Sequence, residues 1–466
     1  MPVKSSQLNP IRSSSSEQNA LNLQKVRDAL TALFPISIPR YTVEISNIRT
    51  DRSLSPTYTD TKEALLRKAS LIAPVYADLE LKTNTGKVIG RQSKFKILSL
   101  PLLTPLRTFV IDGNQYATTN QLRLRPGVYT KKAESGETVA HFNMGRGGSF
   151  KIWLEPETGI FYWLMGTAKK ALPVYAALRA LGISDSQIQA LWGQNLLETN
   201  KTATIGKLSY SVEKLYNKFI STSEKRDGLS EQEKVAAILN AFSTKTELDP
   251  ETTKSTLGSS YSSLTPKAIL DATKKIIDIY QNKIEEDERD SLEFKKLVTI
   301  DDFFKETLLK ERGRKVVNKI KSRLSTTSGV PVLAKVVTPG MFTSPLTNFI
   351  TTESLSGNPD QINPIEIMDQ NNKVTSLGPG GLASLQSVTN LQRLVNTSHL
   401  GILDPIRTPE SEKVGVDVRL IGSAGRDASG NLYAPYINVK TGKMEYMHPS
   451  ESKTKFIAFK NPKGSL

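Results

Sequence analysis

The hydrophobic pattern changes period twice along this chain, and that change constrains the fold more than any other feature. From Tyr41 to Leu98 the apolar residues follow strand logic. YTVEI, YADLELK and FKILSL alternate or cluster β-branched and aromatic side chains, as half-buried strands do. TNTGK at 83–87 is placed to turn between two of them. FVIDGNQYAT at 109–118 predicts a hairpin, with Asp112, Gly113 and Asn114 supplying the positive φ angles of a tight turn. FKIWLEPETGIFYWLM at 150–165 predicts another, bent around Pro156 and Gly159.

Helical signals take over at 173. Pro173 suits a first helical position and Gly182 a left-handed helix end. Ser184 with Gln187, and Ser230 with Glu233, have capping-box spacing, and Thr265-Pro266 marks a further start. The acidic run EEDERD at 285–290 predicts a solvated face. DDFFKETLLKERGRKVVNKIKSRL at 301–324 predicts one long basic helix, with Leu308, Val316, Ile320 and Leu324 at helical spacing. Residues 325–400 are rich in Ser, Thr, Gly and Pro, and beyond 415 the segments VDVRLIG, LYAPYINVK and KFIAFK predict strands again. The fold class is therefore α+β and multidomain, and no internal repeat is present.

Composition narrows the function. The 466 residues include 62 Lys plus Arg against 46 Asp plus Glu, a net charge of +16 that favours an anionic partner, nucleic acid foremost. The absence of cysteine excludes disulfides, thiolate zinc and cysteine nucleophiles. His141, His399 and His448 are the only imidazoles, and no two have the spacing of a helical metal pair. A zinc enzyme and a Ser-His-Asp enzyme are thereby disfavoured, and no metal site is assigned. The polar, serine-rich start is no signal peptide. The apolar run GIFYWLMG at 159–166 is far short of a membrane span. A soluble, intracellular chain with no membrane partner is expected.

Two local motifs carry bland readings. AALRALGISDSQIQALWG at 176–193 has the outline of a DNA-reading helix-turn-helix, yet SDSQIQALWG offers no Arg, Lys or Asn to base edges. It predicts a packing corner. GRGGS at 145–149 lacks the Lys-Ser/Thr ending of a nucleotide loop and predicts a turn between strands. MDQNNKVTSLGPGGL at 368–382 is different. Asp369, Gln370, Asn371 and Asn372 read as a polar loop, and Gly378, Pro379, Gly380 and Gly381 as a loop of little bulk that a ligand can approach closely. SHLGILDPIRTPESEKVG follows at 398–415.

These segments resemble the N-terminal half of the β subunit of multisubunit DNA-directed RNA polymerases. MDQNN and LGPGGL match bacterial β almost letter for letter, and NLQRLVNTSHLGILDPIRTPE is similar to a further family segment. Upstream, LPLLTPLRTFVIDGNQYATTNQLRLRPGVY, RGGSFKIWLEPETGIFYW, LPVYAALRALGISDSQI and VTIDDFF follow the family order, so the likeness runs from about 41 to 439. The chain stops at Leu466, where a full β continues for as long again. In this it is similar to the split β and β′ subunits of giant (phiKZ-like) bacteriophages.

The resemblance implies an N-terminal arm at 1–29, a protrusion built from 30–130 and 297–362, a lobe at 131–296, and a fork with the start of the active-centre wall at 363–466. It implies one side of the cleft for DNA and the RNA–DNA hybrid, supporting templated nucleotidyl transfer. Asp369, Gln370, Asn371, Gly378, Pro379, Gly380, Gly381, Arg393, His399, Arg407 and Glu410 would line the nucleic acid and active centre, with no catalytic residue on this chain. Glu366, Ile367, Asp369 and Leu377 would occupy the rifamycin pocket. Here the family's basic, His-containing bridge is shortened to KVTS and a carboxylate is added, so rifampicin insensitivity is expected. Arg407 stands where the family has an acidic residue, and Ser411-Glu412-Lys413 where it has Gly-Pro-Asn. Mg would be held by aspartates of a β′-like partner. The implied companions are a C-terminal half-β polypeptide, β′-like half subunits, a promoter-specificity subunit, template DNA and RNA. The implied location is the infected host cell, in the cytoplasm, a phage replication compartment or the virion. The alternative reading is a non-enzymatic, basic nucleic-acid-binding or virion structural protein with a β-like fold.

Overall fold

The computed structural model describes residues 8–10, 14–133, 136–166, 171–220, 225, 228–327, 329–360 and 362–458. The chain divides into two compact units, one formed by Met1–Arg123 with Lys295–Leu466, the other by Leu124–Phe294.

In the first unit, strands Tyr41–Thr50, Ile72–Thr83 and Val88–Pro101 form an antiparallel sheet with the short strand Ile36–Ser37 at its edge. Ile72–Thr83 alternates along its length, so Ala73, Val75, Ala77, Leu79 and Leu81 enter the core together. The turn expected at 83–87 is present, with Gly86 at φ 81°. The hairpin Phe109–Ile111 and Asn114–Thr118 also forms, its turn made by Asp112 at φ 49° and Gly113 at φ 76°.

Three expectations fail in this unit. The arm expected at 1–29 is, from Ser15, a helix running to Leu33. Ser14 and Glu17 make its capping box, and Leu23, Val26 and Leu30 recur at helical spacing and are buried. Ser14, Ser15 and Ser16 are thus a helix start. Asn19 fixes the helix in place: its amide donates to the carbonyls of Leu54 (2.9 Å) and Leu103 (3.1 Å) and accepts from the Leu103 amide (2.9 Å). Second, the single basic helix at 301–324 is two, Ile300–Leu309 and Glu311–Thr326, separated by Lys310 in extended backbone. Third, KFIAFK is not a strand over 455–458, and its last two residues lie outside the described ones. Strands do form at Asp417–Leu420, Leu432–Ile437 and Met444–Met447.

The second unit is a five-stranded antiparallel sheet, Gly127–Lys132, Thr138–Asn143, Phe150–Leu154, Phe161–Met165 and Leu172–Pro173, backed by helices. Its boundary falls at Leu124 rather than 131, because Gly127–Lys132 pairs along its length with Thr138–Asn143. One sheet face carries Val128, Ala140, Phe142, Ile152 and Trp163 into a core shared with the helices. The corner at 176–193 is a packing element, with Ile188 and Trp192 buried and the Trp192 indole N–H donating to Thr273 Oγ1 at 2.8 Å. Capping boxes at Ser184 and Ser230 and the Thr265 cap stand as their spacing predicts, while Pro173 caps its helix from outside. The acidic run is not all solvated face. Asp287 is buried in an ion pair with Lys275 (2.6 Å) and accepts from the Thr130 amide (2.7 Å). It thereby straps 285–287 across the edge strand of the sheet.

Candidate nucleic-acid interface

The quoted segment at 368–382 begins inside a helix rather than a loop. Asn363 caps Pro364–Gln370 by accepting from the Ile365 amide at 3.0 Å, with Pro364 in the first turn. Asp369 and Gln370 therefore end a helix, and Ile367 is buried beneath it. Glu366 lies on the same short helix. The start signal Asn363-Pro364 was available in the sequence, but seven residues are too few for a period to show. Asn371 closes the helix, its amide donating to Ile367 O (2.9 Å) and Leu106 O (3.2 Å) while its own carbonyl accepts from Asn120 Nδ2 (2.9 Å). Its carboxamide is spent on the fold.

Lys373–Thr375 then enters a sheet, parallel to Asn120–Leu124 and antiparallel to Asp417–Leu420. This registers two sequence-distant pieces against the motif. From the second piece Arg419 Nε donates to Asp369 Oδ2 at 2.7 Å, and Arg407 Nη2 lies 3.1 Å from the same oxygen. Asp369 is 19% exposed and Arg407 57% exposed, so one partner is sheltered and the other stands at the surface. The buried Asp417 likewise holds Lys373 at 3.0 Å.

The glycine turn is pinned. Gly378 N–H donates to Leu382 O (3.0 Å), Gly381 N–H to Gly378 O (2.9 Å) and Leu382 N–H to Ser376 O (2.9 Å). Gly378 and Gly380 take φ of 102° and 82°, values that favour glycine. A Cβ at Gly380 would lie 2.8 Å from the Arg123 guanidinium carbon, and one at Gly381 would lie 2.7 Å from Gln121 Nε2. Close approach is thus required first by the chain's own side chains. Gln121 Nε2 donates to Leu377 O (2.7 Å) and Arg123 Nη2 to Pro379 O (2.9 Å). Arg123 is 8% exposed, meets both oxygens of Glu306 at 2.7 and 2.8 Å, and lies over the Phe303 ring. Burial pushes the Glu306 carboxyl up, but the charge and hydrogen bonds of Arg123, with Lys310, hold it below the usual range. Pro379, Gly380 and Gly381 keep an exposed outer edge. The expected loop of little bulk is a braced turn with one open side.

The remaining candidates belong to the segment that follows. Arg393 Nη1 donates to the carbonyls of Glu412 and Val414, and Gly415 at φ 70° packs against the Arg393 backbone. His399 Nδ1 accepts from the Asn396 amide at 3.3 Å and closes the turn Thr397–His399. Glu410 is exposed. Around them Leu391, Leu394, Val395 and Ile406 are apolar side chains left more than 60% exposed. The structure therefore joins Asp369 to Arg407 and the glycine turn to residues that sequence reasoning passed over, Gln121, Arg123, Glu306 and Arg419. The missed signal was QLRLR at 121–125, whose polar residues alternate at strand period. Among the described residues no group of three or more His, Asp and Glu side chains is arranged to hold a metal ion. No helix among them is long and apolar enough to cross a membrane.

Comparison with known proteins gives a consistent pattern. Residues 124–298 match the family model described as RNA polymerase Rpb2, domain 2, and residues 358–420 match RNA polymerase Rpb2, domain 3. The chain is 24% identical over 446 residues to the DNA-directed RNA polymerase subunit beta of Synechocystis sp., and 25% identical over 449 residues to that of Gloeobacter violaceus. In both cases 90% of this chain is covered but only 38% of the relative. The subunit beta of Thermosipho melanesiensis is 25% identical, covering 83% of this chain and 41% of its own length.

Proposed function

We propose that this RNA polymerase β-subunit-like chain, a distant homologue carrying domains 2 and 3 of that subunit, serves as the N-terminal β-like subunit of a multisubunit DNA-dependent RNA polymerase. It forms one side of the cleft that holds DNA and the RNA–DNA hybrid, and it supports templated nucleotidyl transfer. The observation that carries the reading is the braced turn at 376–382. Arg123 and Gln121 hold its inner side, which leaves Pro379, Gly380 and Gly381 as a small, rigid edge offered outward. A rigid edge without side-chain bulk suits contact with a moving nucleic acid, because it positions without fixing a base sequence.

The chain's part in the chemistry is positional. Asp369, tied to Arg419 and Arg407, together with Gln370, His399 and Glu410, acts on the placement of template and nascent RNA. A catalytic Mg would be held by a β′-like partner and would supply there the charge stabilisation that nucleotidyl transfer needs. Exposed Leu391, Leu394, Val395 and Ile406 fit burial by a companion polypeptide. The reading extends to the split-subunit type of giant bacteriophages, with a separate polypeptide carrying the rest of β. It also extends to rifampicin insensitivity, since Glu366 adds a carboxylate at the drug-pocket position and KVTS replaces the family's basic, His-containing bridge.

The test is purification of the tagged chain from cells that make its natural companions. Co-purified β- and β′-like polypeptides, and Mg-dependent extension of RNA on a primer–template unaffected by micromolar rifampicin, are the expected result. Isolation as a lone homo-oligomer without extension would assign the chain to the structural alternative.

A further inference from the structure

At one end of the sheet in the Leu124–Phe294 unit, three elements converge on a recess of about 640 Å³. The first is the turn at 155–160 that joins Phe150–Leu154 to Phe161–Met165. The second is the junction between helices Asp185–Trp192 and Gln194–Ala203, and the third is the end of helix Pro266–Tyr280. The size falls within the ~300–1,000 Å³ usual for ligand pockets. Leu154, Trp192 and Ile277, all buried, give the recess an apolar interior, with half-buried Leu196 beside them. Its walls are fixed before anything enters. Buried Asn200 donates to Gly159 O (2.9 Å) and accepts from the Phe161 amide (2.9 Å), which ties the turn to the second helix. The Trp192 indole bond to Thr273 ties the first helix to the third. Such preorganisation lowers the ordering cost of binding.

The polar groups around the recess narrow its occupant. The chain carries a net charge of +16, yet among the described residues no lysine or arginine lines this hollow. Glu155 does line it, and Glu157 follows in the same turn. Glu198 stands one helical turn beyond Gln194, whose Nε2 donates to it at 3.1 Å. Among the described residues none of these three carboxylates makes an ion pair with lysine or arginine. The side chains of Asn195 and Gln281, exposed on two different walls, make no hydrogen bond to another described residue. A carboxamide both donates and accepts, as a peptide backbone requires of its surroundings. A nucleic-acid strand would bring phosphates against the carboxylates, and a purely apolar ligand would leave carboxylates and carboxamides idle. A peptide with an apolar side chain flanked by cations uses all three features.

We propose that this recess docks a basic segment of a partner polypeptide, with one apolar side chain against Trp192 and Ile277 and flanking cations at Glu155, Glu157 and Glu198. The site lies outside the nucleic-acid reading above, and its test needs neither companions nor primer extension, so each can fail alone. The full chain is titrated with the fluorescein-labelled peptide KKLFKK and followed by anisotropy, beside KKGSKK, GGLFGG and EELFEE. Because the chain is itself strongly cationic, general electrostatics favour EELFEE, so a preference for KKLFKK reads the local site. KKLFKK binds at least about tenfold more tightly than KKGSKK, as burial of one apolar anchor provides. It also binds about tenfold more tightly than GGLFGG and EELFEE, the combined effect of several exposed ion pairs. Glu155→Lys combined with Glu157→Lys weakens KKLFKK binding by about tenfold. Asp28→Lys, at an exposed position of the other unit, changes it by less than about twofold. Crosslinking of a photo-leucine form of the peptide to the unmodified chain maps to 154–159, 192–196 or 277–281, which guards against misfolded variants. No saturable binding of KKLFKK up to about 1 mM, an equal loss in Asp28→Lys, no loss in the double variant, or crosslinks confined to other segments would overturn the proposal. So would GGLFGG binding as tightly as KKLFKK, which assigns the recess to an uncharged apolar ligand, or EELFEE binding more tightly, which leaves the carboxylates without a role.

Discussion

Arg123 meets three demands at once. It neutralises Glu306 at 2.7 Å, holds the Pro379 carbonyl at 2.9 Å, and covers the Phe303 ring. The glycines of the turn were legible as positions of close approach, since φ and bulk are local matters. Their partner was not, because the Arg123–Pro379 bond spans 256 residues and nothing in a single sequence pairs the two. Gly380→Ala sets a Cβ against the guanidinium at a φ of 82° and should cost about 1–3 kcal/mol of stability, measured by the urea midpoint. Glu306→Gln leaves Arg123 buried without its counter-charge and should cost about 3 kcal/mol at neutral pH. The sign of its pH dependence follows from a carboxyl held below its ordinary 4.5. The stabilisation is fully present above that value and is lost as pH falls through the lower folded one. Wild type and Glu306→Gln should therefore converge in stability as the pH is taken down through that window. A gap that stays constant would show that the carboxylate charge is not what matters.

Elements divide by how far their cause lies along the chain. The capping boxes at Ser184 and Ser230 and the Asp112-Gly113 turn were readable because every participant lies within four residues. The break at Lys310 was not, since the helical period continues across it and the cause is packing. Gly313, in the first turn of Glu311–Thr326, sits so close to the end of Ile300–Leu309 that a Cβ would overlap the Leu308 carbonyl. Gly313→Ala, normally a helix-favouring change, should here destabilise by about 3 kcal/mol, with the thermal midpoint as readout. A rise in stability would mean the two helices do not meet in this way. The acidic run failed for a related reason: composition marks a charge run as solvated, and only the sheet edge shows that Asp287 is needed by Lys275. Burial raises the Asp287 carboxyl and lowers the Lys275 ammonium, with their pairing opposing both shifts. Asp287→Ala should cost about 3–5 kcal/mol, whereas Lys275→Met with Asp287→Leu should recover most of that loss. Chemical denaturation of the three variants separates the cost of a stranded charge from the worth of the pair.

At the scale of the whole molecule, the net charge of +16 and the lack of any metal-holding cluster among the described residues lead to a two-part expectation. The excess of cations gives affinity for any polyanion, because each neutralised phosphate releases a counterion. The lone chain should therefore bind unrelated DNA and RNA sequences about equally, and its affinity should fall with a log–log salt slope of about 0.7–0.9 per phosphate contacted. Reading sequence requires base edges held in fixed geometry, and that depends on strands kept apart by other chains. Nucleotidyl transfer requires metal ions, and among the described residues no group of His, Asp and Glu side chains is arranged to hold one. Binding and catalysis should thus separate experimentally. Under the proposed function the chain alone should bind nucleic acid yet extend no primer at any Mg concentration, while addition of both the remaining β-like and the β′-like polypeptides should give extension that is sensitive to Gly380→Ala. Extension by the purified chain alone would show that the division of labour drawn from its charge and its side chains is wrong.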